Sequence, residues 1–333
     1  MSETALVTGS AGFIGFHTAE RLLQSGTKVI GLDAMTDYYD PALKKARHEI
    51  LAQSPGFTAV TARLEEPGVV ADLFAEHKPQ TVVHLAAQAG VRYSIDAPRS
   101  YVEANLIGTY EVLEAARANP PAHLMLASTS SVYGANTKMP YAETDKADSQ
   151  MSFYAATKKA TEAMAHSYSH LYGIPVTMFR FFTVYGTWGR PDMALFKFVK
   201  AIEAGEPIDV YNHGDMSRDF TYVDDLVEGV LRLRAAVPGT EPVGEMDSLS
   251  PVAPFRVVNI GNSQPTPLME FIRAIETALG RKAELNMMDM QPGDVPATWA
   301  DAALLEALVG KLPCTPLEQG VQRFVDWYRD YYG

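Results

Sequence analysis

Short apolar runs alternate with longer amphipathic stretches through the first half of the chain. Residues 5–8, 28–32, 57–62, 81–85, 124–127 and 176–181 read as strands. Helical patterns fill the gaps. Residues 13–25 place Ile14, Ala19, Leu22 and Leu23 toward one side, and 69–77, 102–119 and 154–172 continue the rhythm. Strand alternating with helix predicts a parallel sheet covered on both faces, an α/β fold of the doubly wound kind. After Tyr185 the rhythm changes: glycine, proline and polar residues become frequent, and the remaining helices, one at 226–234, are separated by long loops. Residues 238–254 read as an exposed loop, because a strand-like run at 256–260 follows. This predicts a large domain over 1–182, with returns around 218–235 and 255–262, and a smaller α/β C-terminal domain made mostly of 183–333.

Composition narrows the function classes. The net charge of −12 repels a polyanion such as nucleic acid, although a local basic pocket can hold a diphosphate. Cys314 is the only cysteine, so an intramolecular disulfide and a cysteine-built metal site are excluded. No run approaches the ~20 apolar residues that span a membrane. The apolar opening segment contains glycines and lacks a basic leader. The expectation is a cytoplasmic protein with no metal.

Thr8-Gly9-Ser10-Ala11-Gly12-Phe13-Ile14-Gly15 lies at the first strand–helix junction. Gly9 suits a sharp turn, Gly12 lets backbone approach a pyrophosphate, and Gly15 lets helix and strand pack closely. The N–H groups at Phe13, Ile14 and Gly15 open the helix toward an anion. Asp33, at the end of the second strand, is placed to bind adenosine ribose hydroxyls and to repel a 2′-phosphate. Together these predict a Rossmann-type domain that binds NAD rather than NADP.

Tyr154 and Lys158 stand four residues apart and project from one helix face. Tyrosine, with a pKa of about 10, is a poor base at neutral pH, and a nearby ammonium favours its phenolate. Upstream, Ser128, Thr129, Ser130 and Ser131 end a buried strand, where open parallel sheets bind ligands. A hydroxyl there can share a substrate hydroxyl with Tyr154.

On these residues the chain resembles the extended short-chain dehydrogenase/reductases of the nucleotide-sugar epimerase type. The resemblance also takes in His84-Leu85-Ala86-Ala87, Asn105 and the run from Arg218 to Asp225. The segments from Leu85 to Ser94 and from Arg180 to Ala194 are narrower and resemble the UDP-glucuronate 4-epimerases. The resemblance implies bound NAD, with Leu85, Ala86, Ala87 and Asn105 among its contacts, a UDP-sugar substrate and a homodimer built from two helices per subunit. It implies that Thr129, with Ser130 or Ser131, polarises the sugar's 4-hydroxyl, that Tyr154 is the base, and that Lys158 tunes it. It places Ser128 beside the substrate, Arg218 on the UDP phosphates, Asp294 on the uridine side, and Thr183 and Arg190 at the sugar carboxylate, with Arg92 as a further candidate. Two departures concern adenosine: Ala34 follows Asp33 where relatives carry asparagine, and Arg63 stands where they carry an acid that meets the adenine amine. An arginine cannot accept that hydrogen bond.

The reaction so implied removes hydride from C4, leaves a 4-keto sugar and returns hydride to the opposite face. Related dehydratases and decarboxylases carry carboxylates where this chain has Ser130 and Ser131, which argues against both. Two readings remain beside the uronate epimerase: a UDP-glucose/galactose 4-epimerase, which needs no cation at C6, and a non-catalytic NAD-sensing regulator, which has no use for Tyr154 and Lys158.

Overall fold

The computed structural model describes residues 3–291 and 293–333. Its strands are β1 (Thr4–Thr8), β2 (Lys28–Asp33), β3 (Phe57–Thr61), β4 (Thr81–His84), β5 (His123–Thr129), β6 (Val176–Phe181), β7 (Thr183–Tyr185), β8 (Ile208–Tyr211), β9 (Ser217–Tyr222), β10 (Phe255–Ile260), β11 (Pro265–Pro267), β12 (Leu285–Met288) and β13 (Ala297–Thr298). Seven of them form one parallel sheet in the order β10-β6-β5-β4-β1-β2-β3. Period-two alternation explains why both faces are covered. Val7, Val83 and Met125 pack toward the helix Phe13–Gln24, whereas Leu6, Val82, Leu124 and Leu126 pack toward Val112 and Leu113 of the helix Gly108–Ala118. β4, β6 and β10 are buried along their whole length, while the edge strand β3 is mostly exposed.

The chain leaves β1 toward β2 and β3, then crosses back to β4 and proceeds the other way. The carboxyl ends of β1 and β4 therefore diverge, and the crevice between them is where such sheets take ligands. A smaller layer stands over that crevice. β9 lies between antiparallel β11 and parallel β13 and also pairs with β7, while β8 and β12 form a separate parallel pair.

Three expectations need correction. The helix predicted over 102–119 is not continuous: a turn at Pro98–Tyr101 runs into a π-helical stretch, Val102–Ile107, before the α-helix Gly108–Ala118. Apolar spacing does not distinguish a π turn from an α turn, and the extra residue re-aims Asn105 inward. The helix near 226–234 starts earlier, at Val223, and ends at Leu233. The return predicted from 218 begins in the smaller layer, as β9, and only its helix packs beside the helix Phe13–Gln24.

Candidate active site

The first turn of the fold is too tight for side chains. Gly9 has φ +73°, and a Cβ there would lie 2.8 Å from the Ala86 nitrogen. A Cβ on Gly12 would stand 2.9 Å, and one on Gly15 only 2.0 Å, from the Gly9 carbonyl oxygen. Gly12 caps the following helix with no side-chain hydrogen bond, and the first helical N–H with a partner is that of Phe16, which donates to the Gly12 oxygen at 2.9 Å. The N–H groups of Phe13, Ile14 and Gly15 are thus left for an anion. This cradle, which any Cβ would fill, fits the pyrophosphate of NAD. Asp33 accepts from the Ala11 N–H at 3.0 Å and the Met35 N–H at 2.8 Å, which seats its carboxylate on the crevice wall at the end of β2.

Sequence reasoning missed Arg47, which is completely buried behind this turn. Its guanidinium donates to the Ala11 oxygen at 2.7 Å, the Tyr39 hydroxyl at 2.8 Å and the Trp188 oxygen at 2.6 Å. It ties the glycine turn to the loop that carries Arg190, and none of those partners is a carboxylate. Arg63 does line the crevice, yet its guanidinium donates to Glu65 Oε1 at 2.7 Å. Glu65 therefore brings a carboxylate to the wall two residues after the expected acid. Asn105 does not line the crevice. It stands behind the wall, accepting from the Gln88 N–H at 2.8 Å and donating to the Gln88 oxygen at 3.1 Å and Thr157 Oγ1 at 3.0 Å.

At the end of β5, Ser128 and Thr129 run into a 3₁₀ turn, Ser130–Tyr133, and all four hydroxyl residues from Ser128 to Ser131 face the crevice. Opposite them the helix Phe153–Tyr172 starts at Ser152, whose hydroxyl accepts from the Ala155 N–H at 3.1 Å. That cap fixes where Tyr154 and Lys158 emerge. Burial raises the Tyr154 phenol above its ordinary value, opposed by a hydrogen bond with Thr129 and by the charge of Arg190. Burial lowers the Lys158 ammonium to about 8, while Glu162, one turn further, pulls it back up.

Glu162 is the hub under this end of the site. It accepts from Ser128 Oγ at 2.7 Å, Arg180 Nε at 2.9 Å, Arg180 Nη2 at 2.8 Å and Lys159 Nζ at 3.0 Å. Burial alone would raise its pKa, but the hydrogen bonds and charge of Arg180, with Lys159 and Ser128, hold it down at about 2. An ionised carboxylate only accepts, so Ser128 spends its single proton on Glu162. Ser128 can therefore accept from a ligand but not donate to it. Glu162 lies four residues after Lys158, a spacing legible in the sequence; its pairing with Arg180 is not.

Across the crevice stand Thr183, Arg190, Arg218, Arg92 and Asp294. Arg218 donates to the Ser217 oxygen at 2.9 Å, the Val295 oxygen at 2.8 Å and the Pro296 oxygen at 3.1 Å, all carbonyls, with the Asp294 carboxylate close enough to stabilise its charge. Arg92 pairs with Asp294 at 3.0 Å and lies 4.5 Å over the Tyr211 ring, so it reaches Asp294 rather than Thr183 or Arg190. Arg190 pairs with Asp192, a partner that sequence reasoning did not weigh. The whole crevice holds about 970 Å³ and is lined by every anticipated site residue except Asn105.

Known proteins resemble this chain in sequence and overall structure. The profile of the NAD dependent epimerase/dehydratase family matches residues 5–244. A probable UDP-glucuronate 4-epimerase of Rhizobium meliloti (strain 1021) is 58% identical over 331 residues, covering 98% of this chain and 97% of its own. UDP-glucuronate 4-epimerase 4 of Arabidopsis thaliana is 46% identical over 99% of this chain and 76% of its own. The crystal structure of a UDP-glucuronic acid 4-epimerase from Bacillus cereus, in complex with UDP-glucuronic acid and NAD, superposes with a TM-score of 0.88 at 29% identity, covering 99% of this chain and 100% of that one. With a crevice built for a dinucleotide and relatives of this extent, the chain belongs to the NAD dependent epimerase/dehydratase family.

Proposed function

We propose that the protein is a UDP-glucuronate 4-epimerase, converting UDP-glucuronate to UDP-galacturonate through a 4-keto sugar without loss of carbon dioxide. The observation that carries this reading is the pairing of two walls. Tyr154 and Lys158 face Thr129, Ser130 and Ser131 on one side of the crevice, and Thr183 and Arg190 stand on the other. Residues 1–182, with the helix Val223–Leu233 and β10, form the NAD side, and most of the rest of 183–333 forms the UDP-sugar side.

Gly9, Gly12, Phe13, Ile14 and Gly15 hold the NAD pyrophosphate, Asp33 the adenosine ribose, and Leu85, Ala86 and Ala87 the crevice floor, with Asn105 keeping that loop in place from behind. Bound NAD supplies the acceptor and donor of hydride. Tyr154 takes the proton of the sugar's 4-hydroxyl and later returns it. The buried Lys158 ammonium favours the phenolate, because an opposite charge nearby stabilises it. Thr129, joined by Ser130 or Ser131, donates to the C4 oxygen as it becomes a carbonyl. Arg218 binds the diphosphate. Thr183 and Arg190 hold the C5 carboxylate so that its bond to the ring does not align with the C4 carbonyl π system, the alignment through which a β-keto acid loses carbon dioxide.

A neutral-sugar epimerase is favoured by one observation: Arg190 already has a carboxylate partner in Asp192. Incubation with UDP-glucuronate and UDP-glucose separately, with products identified by NMR, decides between them. Conversion of UDP-glucuronate to UDP-galacturonate is expected; conversion of UDP-glucose alone would overturn the uronate reading. Failure to convert either sugar, with NAD bound, would favour the regulator. The exposed apolar side chains Ile107, Tyr110 and Phe153, at the ends of two adjoining helices, support a homodimer through those helices. A free thiol at the surface, Cys314, suits the cytoplasm.

A further inference from the structure

Arg190 does not stand as a bare cation. Its Nε donates to Asp192 Oδ1 at 3.0 Å and its Nη2 to Asp192 Oδ2, the two-point grip that a guanidinium makes on any carboxylate. Tyr38, from the loop after β2, donates its hydroxyl to Asp192 Oδ2 at 3.2 Å. The Arg190 and Asp192 side chains are 21% and 27% exposed, so the pair is open to the crevice rather than locked in the core. Asp192 thus fills the seat on Arg190 that a sugar carboxylate would need.

Inversion at C4 gives this arrangement a use. Hydride leaves one face of C4 and returns to the other, so the 4-keto ring turns over between the two transfers, and its carboxylate moves as it turns. A cation gripped by that carboxylate alone would hold the ring in one orientation. We propose that Asp192 is the exchange partner of Arg190: it holds the guanidinium while the sugar is absent or turning, and yields it to the sugar carboxylate when the ring is seated. Asp192 is then a positioning residue that sets selectivity for a uronate over a neutral sugar and keeps the grip reversible. Tyr38 makes the exchange feasible, because Asp192 keeps a hydrogen bond when Arg190 leaves it. A neutral sugar has nothing to exchange, and Arg190 stays on Asp192. The inference rests on the uronate reading above.

The test uses Asp192→Asn, Arg190→Met and the double variant, each loaded with NAD. Asparagine keeps the size of aspartate and an acceptor for Tyr38 while removing the competing charge. Dissociation constants for UDP-glucuronate and UDP-glucose are measured by calorimetry, and kcat and KM for UDP-glucuronate by NMR. D192N is expected to bind UDP-glucuronate about two- to fivefold tighter, as for release of one partly exposed ion pair. Its affinity for UDP-glucose stays unchanged, and kcat falls together with KM. In the Arg190→Met background the same change no longer alters the ratio of the two affinities. Weaker binding of UDP-glucuronate, an equal change for both sugars, or an undiminished kcat would overturn the proposal. Unaltered protein that epimerises only UDP-glucose removes the uronate reading and this inference with it. Unaltered protein that epimerises UDP-glucuronate, beside a D192N variant with unshifted affinities, removes this inference alone.

Discussion

Tyr154 holds its proton too firmly to act as a base unaided, since burial raises its phenol. Thr129 and the charge of Arg190 oppose that rise; in the proposed mechanism Lys158 adds a second charge, which is conditional because burial lowers the ammonium to about 8. His84 lies nearby but is held neutral, lowered to about 3 chiefly by burial, and adds no charge of its own. The sign follows. Below about pH 8 Lys158 is protonated and supports the phenolate; as pH rises through that value the support is lost. A pH–rate profile should therefore show an alkaline limb near 8, and Glu162→Gln should move that limb to lower pH by removing the carboxylate that raises Lys158. Tyr154→Phe should lower kcat by about a hundred- to ten-thousandfold, the usual share of general acid–base catalysis, while NAD remains bound. Carboxylate restraint has a separate signature. Thr183→Val and Arg190→Gln should release carbon dioxide and form a UDP-pentose, measured by NMR; lost binding with no decarboxylation would mean that neither side chain restrains the carboxylate.

Helix Phe153–Tyr172 is joined to the sheet by one buried ion pair. Glu162 and Arg180 are 4% and 3% exposed, and Arg180 also lies 4.6 Å over the Tyr133 ring. Arg180→Met should destabilise the protein by about 3–5 kcal/mol, because it strands a buried carboxylate. Glu162 is lowered from 4.5 to about 2 in the folded protein, so its stabilising contribution is complete above 4.5 and is lost as pH falls toward 2. The penalty of Arg180→Met should accordingly be largest near neutral pH and shrink in acid, as denaturant unfolding at about pH 7 and about pH 4 would measure. Elements of this helix and of the sheet were legible beforehand because their apolar periods are long and regular: β6 matches its expected bounds, and Asp33 ends β2. The π stretch at Val102–Ile107 was not, since one inserted residue leaves the apolar pattern nearly intact. Arg47 illustrates the same limit. A basic residue in an amphipathic helix reads as surface, and only the tertiary approach of Ala11, Tyr39 and Trp188 makes it core. Asp192 sat within a recognised segment, but a loop pairing two residues away carries no periodic signal.

At the scale of the whole molecule, the helix that carries Tyr154 and Lys158 and the helical segment beside it expose large apolar side chains. Ile107 and Tyr110, on the Val102–Ala118 side, are 40% and 46% exposed, and Phe153, beside Tyr154, is 42% exposed. Large apolar groups on adjoining elements suit an interaction face, and in the proposed homodimer a second copy of the chain presents the same face in return. A stable interface of this kind buries about 1,200–2,000 Å² in total, which two helices per subunit can supply. Ile107→Glu with Tyr110→Glu should convert a dimer to monomers in analytical ultracentrifugation, because a twofold interface brings the new charges toward their symmetry mates. Turnover per subunit should fall along with association, since Asn105, between Gln88 and Thr157, links the π stretch to the crevice loop and to the helix that carries Tyr154 and Lys158. Unaltered protein that sediments as a monomer would remove the dimer, and a monomeric variant with full turnover would show that the face serves assembly alone.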